Sequence, residues 1–166
     1  HPVLYLDPLP LPTADCFDWL AQQAPDRTLA WDAGCGNGQA SLGLAAHFER
    51  VVATDPSATQ IGQAAAHPHI DYRVEPAERS SLAAGSASLV GVSQALHWFG
   101  LDAFHAEVRR VAKPGALLAV SAYGNCSVSY AVDAVEHRLY ADPLGADWPP
   151  ERVLVVPGGK VTMFFA

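Results

Sequence analysis

Apolar and polar positions along the 166-residue chain alternate between two periods, short solid apolar runs and longer stretches of helical spacing, each pair separated by Gly, Pro or Asp. The runs predict strands at Thr28 to Asp32, Arg50 to Thr54, Ile70 to Val74, Ser88 to Ser93 and Ala116 to Ala122. The stretches predict helices near Ala14 to Gln23, Gln39 to Glu49, Ala58 to Ala66 (broken by Pro68) and Leu101 to Val111, with Lys113-Pro114-Gly115 ending the last. Strands that alternate with helices and are apolar throughout belong in a parallel sheet covered on both faces. The expected fold is therefore α/β, a doubly wound, mostly parallel sheet of Rossmann-like type, with right-handed crossovers gathering the loops at the carboxyl ends of the strands.

Three stretches divide the chain. Residues 1–13, rich in proline, read as an irregular amino-terminal segment; 14–123 form the α/β core; and 124–166 hold a helix at Val128 to Tyr140, then a carboxyl-terminal hairpin. The hairpin is expected from Val153 to Pro157, a Gly158-Gly159 turn and Lys160 to Phe165, and it would take the place of the edge strands of a larger sheet.

The chemistry concentrates where the first strand ends. Leu29-Ala-Trp-Asp32 runs into Ala33-Gly34-Cys35-Gly36-Asn37-Gly38, and the next strand ends in Asp55. Glycines let a backbone turn sharply and approach a ligand without Cβ clashes, and a carboxylate closing the second strand can accept both hydroxyls of a ribose. Asp55 equally reads as a helix cap before Ser57. The spacing is Gly-x-Gly-x-Gly with Gln39 where a dinucleotide fingerprint needs its third glycine, so NAD fits poorly. Asp32 would oppose a pyrophosphate and suits an ammonium group, which favours a cofactor bearing a cationic amino acid.

With these residues in place, the chain resembles the seven-stranded, class I S-adenosylmethionine-dependent methyltransferases, and within them the small-molecule group of trans-aconitate and juvenile-hormone-acid methyltransferases. The resemblance runs from about Phe17 to Tyr123. It rests on Asp32 to Gly38, Thr54-Asp-Pro-Ser57, Tyr72-Arg-Val-Glu-Pro-Ala-Glu78, Ser93-Gln-Ala-Leu-His-Trp-Phe99 and Val108-Arg-Arg-Val-Ala-Lys-Pro-Gly115. It implies that Asp32, Ala33, Gly34, Cys35 and Gly36 face the methionine part of the cofactor and Asp55 the ribose. Pro56 and Ser57 would lie beside the adenine, Ala77 and Glu78 along its edge, and Gln94, Ala95, His97 and Trp98 between cofactor and acceptor. The implied function is transfer of the cofactor's methyl to a small-molecule acceptor, a carboxylate or a lipid-like compound. Relatives usually continue with a helical insertion and two further strands and carry an amino-terminal Tyr- and Arg-containing cover; here the carboxyl-terminal part is short and Tyr5 has no arginine before Arg27. That leaves open a non-catalytic cofactor-binding or interaction protein, and, against Gln39, a nicotinamide-dependent oxidoreductase. No general base stands out: His97, His105 and Tyr123 are candidates without a partner in sequence.

Half the residues are apolar and 16% charged, enough for one sizeable core. A formal charge of −7 without a basic patch argues against nucleic acid and anionic membrane as partners. Cys16, Cys35 and Cys126 are odd in number and widely spaced, which predicts no disulfide framework, no metal site and a cytoplasmic setting; His67-Pro68-His69 lacks a third ligand. No run approaches the roughly 20 apolar residues of a membrane span. The expected assembly is a monomer, or a homodimer formed through a free edge after the fifth strand.

Overall fold

Leu29-Ala-Trp-Asp-Ala33 forms the strand on which the molecule is built, because both of its faces are covered: Ala30, Trp31, Asp32 and Ala33 are all buried. The computed structural model describes residues 14–122, scattered positions between 129 and 138, and 162–165. In chain order these form α1 (Ala14–Gln23), β1 (Leu29–Ala33), α2 (Gln39–Ala45), β2 (Arg50–Asp55), α3 (Ala58–Ile61), β3 (Ile70–Val74), β4 (Ala87–Ser93), a 3₁₀ turn (Leu96–Trp98), α4 (Leu101–Val111), β5 (Ala112–Ser121) and β6 (Thr162–Phe165).

The sheet order is β3-β2-β1-β4-β5-β6, parallel from β3 to β5. Trp31, Val52, Val90 and Leu118 are register partners and point to the face packed by Phe104, Val108 and Val111 of α4. Their neighbours Ala30, Val51, Leu89 and Leu117 point the other way, onto Phe17, Leu20, Leu44 and Phe48. Trp31 satisfies its indole N–H on Thr54 Oγ1 at 2.9 Å. The winding reverses between β1 and β4, so the loops after β1, β2 and β4 meet at the carboxyl ends of the strands, where ligands of such sheets bind.

Several boundaries differ from the sequence expectation for identifiable reasons. α3 stops at Ile61 because it buries nothing; beyond it the backbone tightens into 3₁₀-type bonds, Gln63 N–H to Gln60 O and Ala64 N–H to Ile61 O. α2 stops at Ala45 because the turn that follows swings Phe48 into the core. β5 begins at Ala112, directly after α4; Lys113-Pro114-Gly115 forms an irregular entry, with Gly115 at φ 75°, where Ala112 faces Ala87 and Leu117 faces Leu89.

β6 pairs antiparallel with β5, Leu117 opposite Phe165 and Val120 opposite Thr162. It thus covers the edge after the fifth strand through which a second copy was expected to pair. Val153 to Pro157, Trp148, Cys126 and residues 1–13 lie outside the described residues. At Tyr130, Ala131, Ala134, Val135 and Arg138, within the expected Val128 to Tyr140 helix, the chain is helical and exposed.

Lys113 and Arg110, at the junction of α4 and β5, are both engaged by partners distant in sequence. Lys113 Nζ reaches Asp26 Oδ2 at 2.8 Å, Thr28 Oγ1 at 2.6 Å and Ser88 Oγ at 3.1 Å, tying the amino ends of the strands together. Arg110 pairs with Glu107. Among the described residues no helix is long and apolar enough to cross a membrane.

α1 and α2 meet where Gly43 faces Phe17. A Cβ on Gly43 would stand 2.4 to 2.7 Å from atoms of that ring. Helix propensity alone makes Gly43→Ala stabilising by up to about 1 kcal/mol. The expected result is the opposite, a loss of about 1 to 3 kcal/mol in urea denaturation from overpacking, relieved when Phe17→Leu is added.

Candidate cofactor-binding site

The glycine loop is fixed by β2 more than by itself. Gly34 N–H and Cys35 N–H both donate to Thr54 O, at 2.8 and 3.0 Å, and Gly36 N–H donates to Asp55 Oδ2 at 2.9 Å. The other carboxylate oxygen, Oδ1, accepts Ser57 N–H at 2.8 Å. Asp55 therefore joins the loop after β1 to the turn after β2. Each carboxylate oxygen accepts in two directions, so one acceptor direction remains on each for a ligand diol. Ser57, expected beside the adenine, caps α3 through Gln60 N–H; Asp55 thus serves the turn and keeps acceptor capacity at the same time.

Two glycines of the loop are demanded by neighbours. A Cβ on Gly34 would lie 2.5 Å from Ala95 Cβ and 2.9 Å from Phe99, and one on Gly38 would lie 2.4 Å from the Tyr72 hydroxyl; both residues have positive φ, 70° and 84°. The Tyr72 oxygen is buried behind the loop with no hydrogen-bond partner among the described residues.

A cavity of about 260 Å³ opens above this loop, lined by Gly34, Asp55, Pro56, Ala77, Glu78, Ala95, Trp98 and Phe99. Seven of the fourteen expected site residues thus share one wall or another of it. Phe99 was not among the fourteen: it closed the Ser93 to Phe99 motif, but its approach to Gly34 depends on the turn between β4 and α4, which no periodicity announces. Trp98 remains 58% exposed at the cavity, its ring 4.7 Å from that of His97. Gln94 opens the same turn at φ 55° and donates its N–H to Ser121 O. A left-handed glutamine is a costly backbone state of the kind that collects at ligand sites.

Asp32, Ala33, Cys35, Gly36, Ser57, Gln94 and His97 do not line the cavity. Asp32 points beneath the loop, 1% exposed, and accepts Ser41 Oγ–H at 2.5 Å, which couples β1 to the first turn of α2. Burial, and secondarily the Asp55 charge, push its carboxyl up to about 6 despite the Ser41 bond. The same burial, with Asp32 and Asp55 nearby, pushes the Cys35 thiol far up and keeps it protonated and inert. No group of three or more candidate metal ligands occurs among the described residues.

A parallel sheet with its winding reversed beside a glycine loop, and an acidic residue closing the second strand, define a class I, S-adenosylmethionine-dependent type of methyltransferase fold. The chain belongs to the methyltransferase-domain family, whose match covers residues 31–120. It is 52% identical to a solved structure assigned as a type II methyltransferase from Anaeromyxobacter dehalogenans, with a TM-score of 0.79 over 90% of this chain and 63% of that one. A Dictyostelium discoideum protein named as a methyltransferase without a stated substrate is 37% identical over 76% of this chain and 49% of its own length. The ubiquinone/menaquinone biosynthesis C-methyltransferase of Rubrivivax gelatinosus is 36% identical over 51% of this chain and 35% of its own. The chain thus spans half or less of the length of these two relatives.

Asp32 leaves a signature in solution. The unfolded carboxyl titrates near 3.8 and the folded one near 6, so between these values the folded chain holds the extra proton. Stability then falls as pH rises through that window, by about 3 kcal/mol in total, and levels off above it. The difference in unfolding free energy between the parent chain and Asp32→Asn, followed from pH 3.5 to 7, is expected to trace that fall; a flat difference would show Asp32 to titrate normally.

Proposed function

We propose that this domain binds S-adenosylmethionine in the 260 Å³ cavity and directs its methyl to a small-molecule acceptor. The supporting observation is Asp55, which is locked by Gly36 and Ser57 yet keeps acceptor directions free at a cavity whose other walls, Pro56, Ala77, Ala95, Trp98 and Phe99, are mostly apolar. That pairing of a diol acceptor with flat apolar walls suits a nucleoside. Asp55 and Glu78 on the cavity wall, with Asp32 beneath the loop, place negative charge around a cationic ligand. NAD would bring a pyrophosphate to the same carboxylates.

S-adenosylmethionine supplies an activated methyl on a sulfonium. What remains for the protein is to align the acceptor with that methyl and to exclude water, effects that supply much of the barrier reduction in such displacements. Trp98 and Phe99 offer the apolar surface on the acceptor side. A carboxylate or lipid-like acceptor, as in the trans-aconitate and juvenile-hormone-acid group, fits this arrangement, since a carboxylate needs no proton removed. The named relatives methylate different atoms of different compounds, one by C-methylation in quinone biosynthesis and one, from Methylovorus, by O-methylation of a malonyl group on acyl carrier protein.

Titration calorimetry with S-adenosylhomocysteine is expected to show saturable binding. Asp55→Ala should weaken it about 10- to 100-fold, the worth of one or two hydrogen bonds to a charged acceptor. Saturable NAD binding with no response to S-adenosylhomocysteine would overturn the reading in favour of an oxidoreductase. Binding without turnover across carboxylate and lipid-like acceptors would leave a cofactor-binding module.

A further inference from the structure

The cavity wall that carries Ala77 and Glu78 belongs to neither helix nor strand, so its shape has to be imposed from outside. On one side β3 holds it: Ser81 N–H and Oγ–H donate to the Glu75 carboxylate at 2.9 and 2.6 Å, and Arg73 donates to Ser81 Oγ at 2.7 Å. On the other side α4 holds it at two heights. At the helix start, Gly100 N–H donates to Glu78 Oε1 at 2.7 Å. Two turns further along, Glu107 Oε1 accepts both Ser80 N–H and Ser80 Oγ–H, each at 2.7 Å. Arg110 fastens the same segment through Leu82 O at 2.8 Å and Ser80 O at 3.2 Å while it pairs with both oxygens of Glu107.

Glu107 is 7% exposed, and no step of methyl transfer uses it. Its carboxylate is buried while the Arg110 guanidinium is partly exposed, so the two Ser80 donors and the guanidinium that hold Glu107 fix one arrangement of the segment around it. The residues just before α4, Trp98 and Phe99, form the facing wall of the cavity. A helix fastened to one wall and continuous with the other fixes the gap between them. We infer that Glu107 and Arg110 are positioning residues for the cofactor: through Ser80 and Leu82 they hold the Ala77–Glu78 wall at the spacing from Trp98 and Phe99 that the adenosine half of the ligand requires.

This rests on the cofactor reading above, and the test separates the two. The 166-residue chain and its Glu107→Gln, Arg110→Lys and Asp26→Asn variants are titrated with S-adenosylhomocysteine and with methylthioadenosine, which has the nucleoside but no amino acid, at a temperature where thermal melts show each to be folded. Asp26 belongs to the network at the opposite end of the strands and serves as the control for a general loss of stability. Glu107→Gln and Arg110→Lys are expected to weaken both ligands by the same factor, about tenfold, the equivalent of one charged hydrogen bond. Asp26→Asn should leave both affinities within about twofold. Parent-like affinity in the Glu107 and Arg110 variants, or an equal loss in Asp26→Asn, would overturn the inference. Should Glu107→Gln not fold, Arg110→Lys carries the same comparison alone. Failure of the parent chain to bind either ligand would defeat the cofactor reading itself, before any variant is compared.

Discussion

The reversal of winding between β1 and β4 is the constraint on which the rest of the molecule depends. β1 has a parallel neighbour on each side and helices over each face, so Leu29 to Trp31 must be apolar whatever the protein does. The strand's carboxyl end is then the one place where the backbone comes free of packing with chain diverging to both sides. A loop that turns there has to clear Ala95 and Phe99 from β4's side and Tyr72 from β3's side, which is why glycine stands at 34 and 38. The crevice is a consequence of topology, and the glycines are a consequence of the crevice.

The polar groups buried around that crevice are handled in two different ways. Glu107 is compensated: the Arg110 guanidinium first, and then two donors from Ser80, hold its carboxyl down to about 2 against its burial, and it stays charged. Asp32 has Ser41 as its hydroxyl donor and a like charge in Asp55, so its carboxyl rises to about 6. An under-compensated buried carboxylate beneath a glycine loop is a standing cost to the fold. A cationic group brought near would lower that cost.

What could be read in the sequence follows from how local each signal is. The strands and the glycine loop were legible because burial on both faces and tight turning each leave a mark within a few residues; Asp55 was legible because it lies at a strand end. Phe99 and Tyr72 were not, since each matters through a neighbour distant in sequence, Gly34 in one case and Gly38 in the other. Asp32 was read as facing the ligand, whereas its side chain turns under the loop to Ser41, a distinction set by the pleat of β1: Asp32 pairs with Ala53, on the face that α2 covers. The engagement of Arg110 and Lys113 was not legible either, because partners 28 and 87 residues away in Leu82 and Asp26 leave no local trace. Helix boundaries failed where propensity met no apolar contact, as in α3, which buries nothing.

The part of the chain that matches its relatives is the part whose geometry is set by the sheet. Residues 31–120 contain every described residue that lines the cavity. Acceptor choice needs surfaces that the sheet does not dictate, and relatives that share this half carry names with different acceptors. Within the described residues the cavity's most exposed large apolar side chain is Trp98, beside Phe99. An exposed indole lining a cavity has apolar area still to bury, about 25 cal/mol for each Å² that is covered. The Trp98 side of the cavity is therefore the side with most apolar area left to cover.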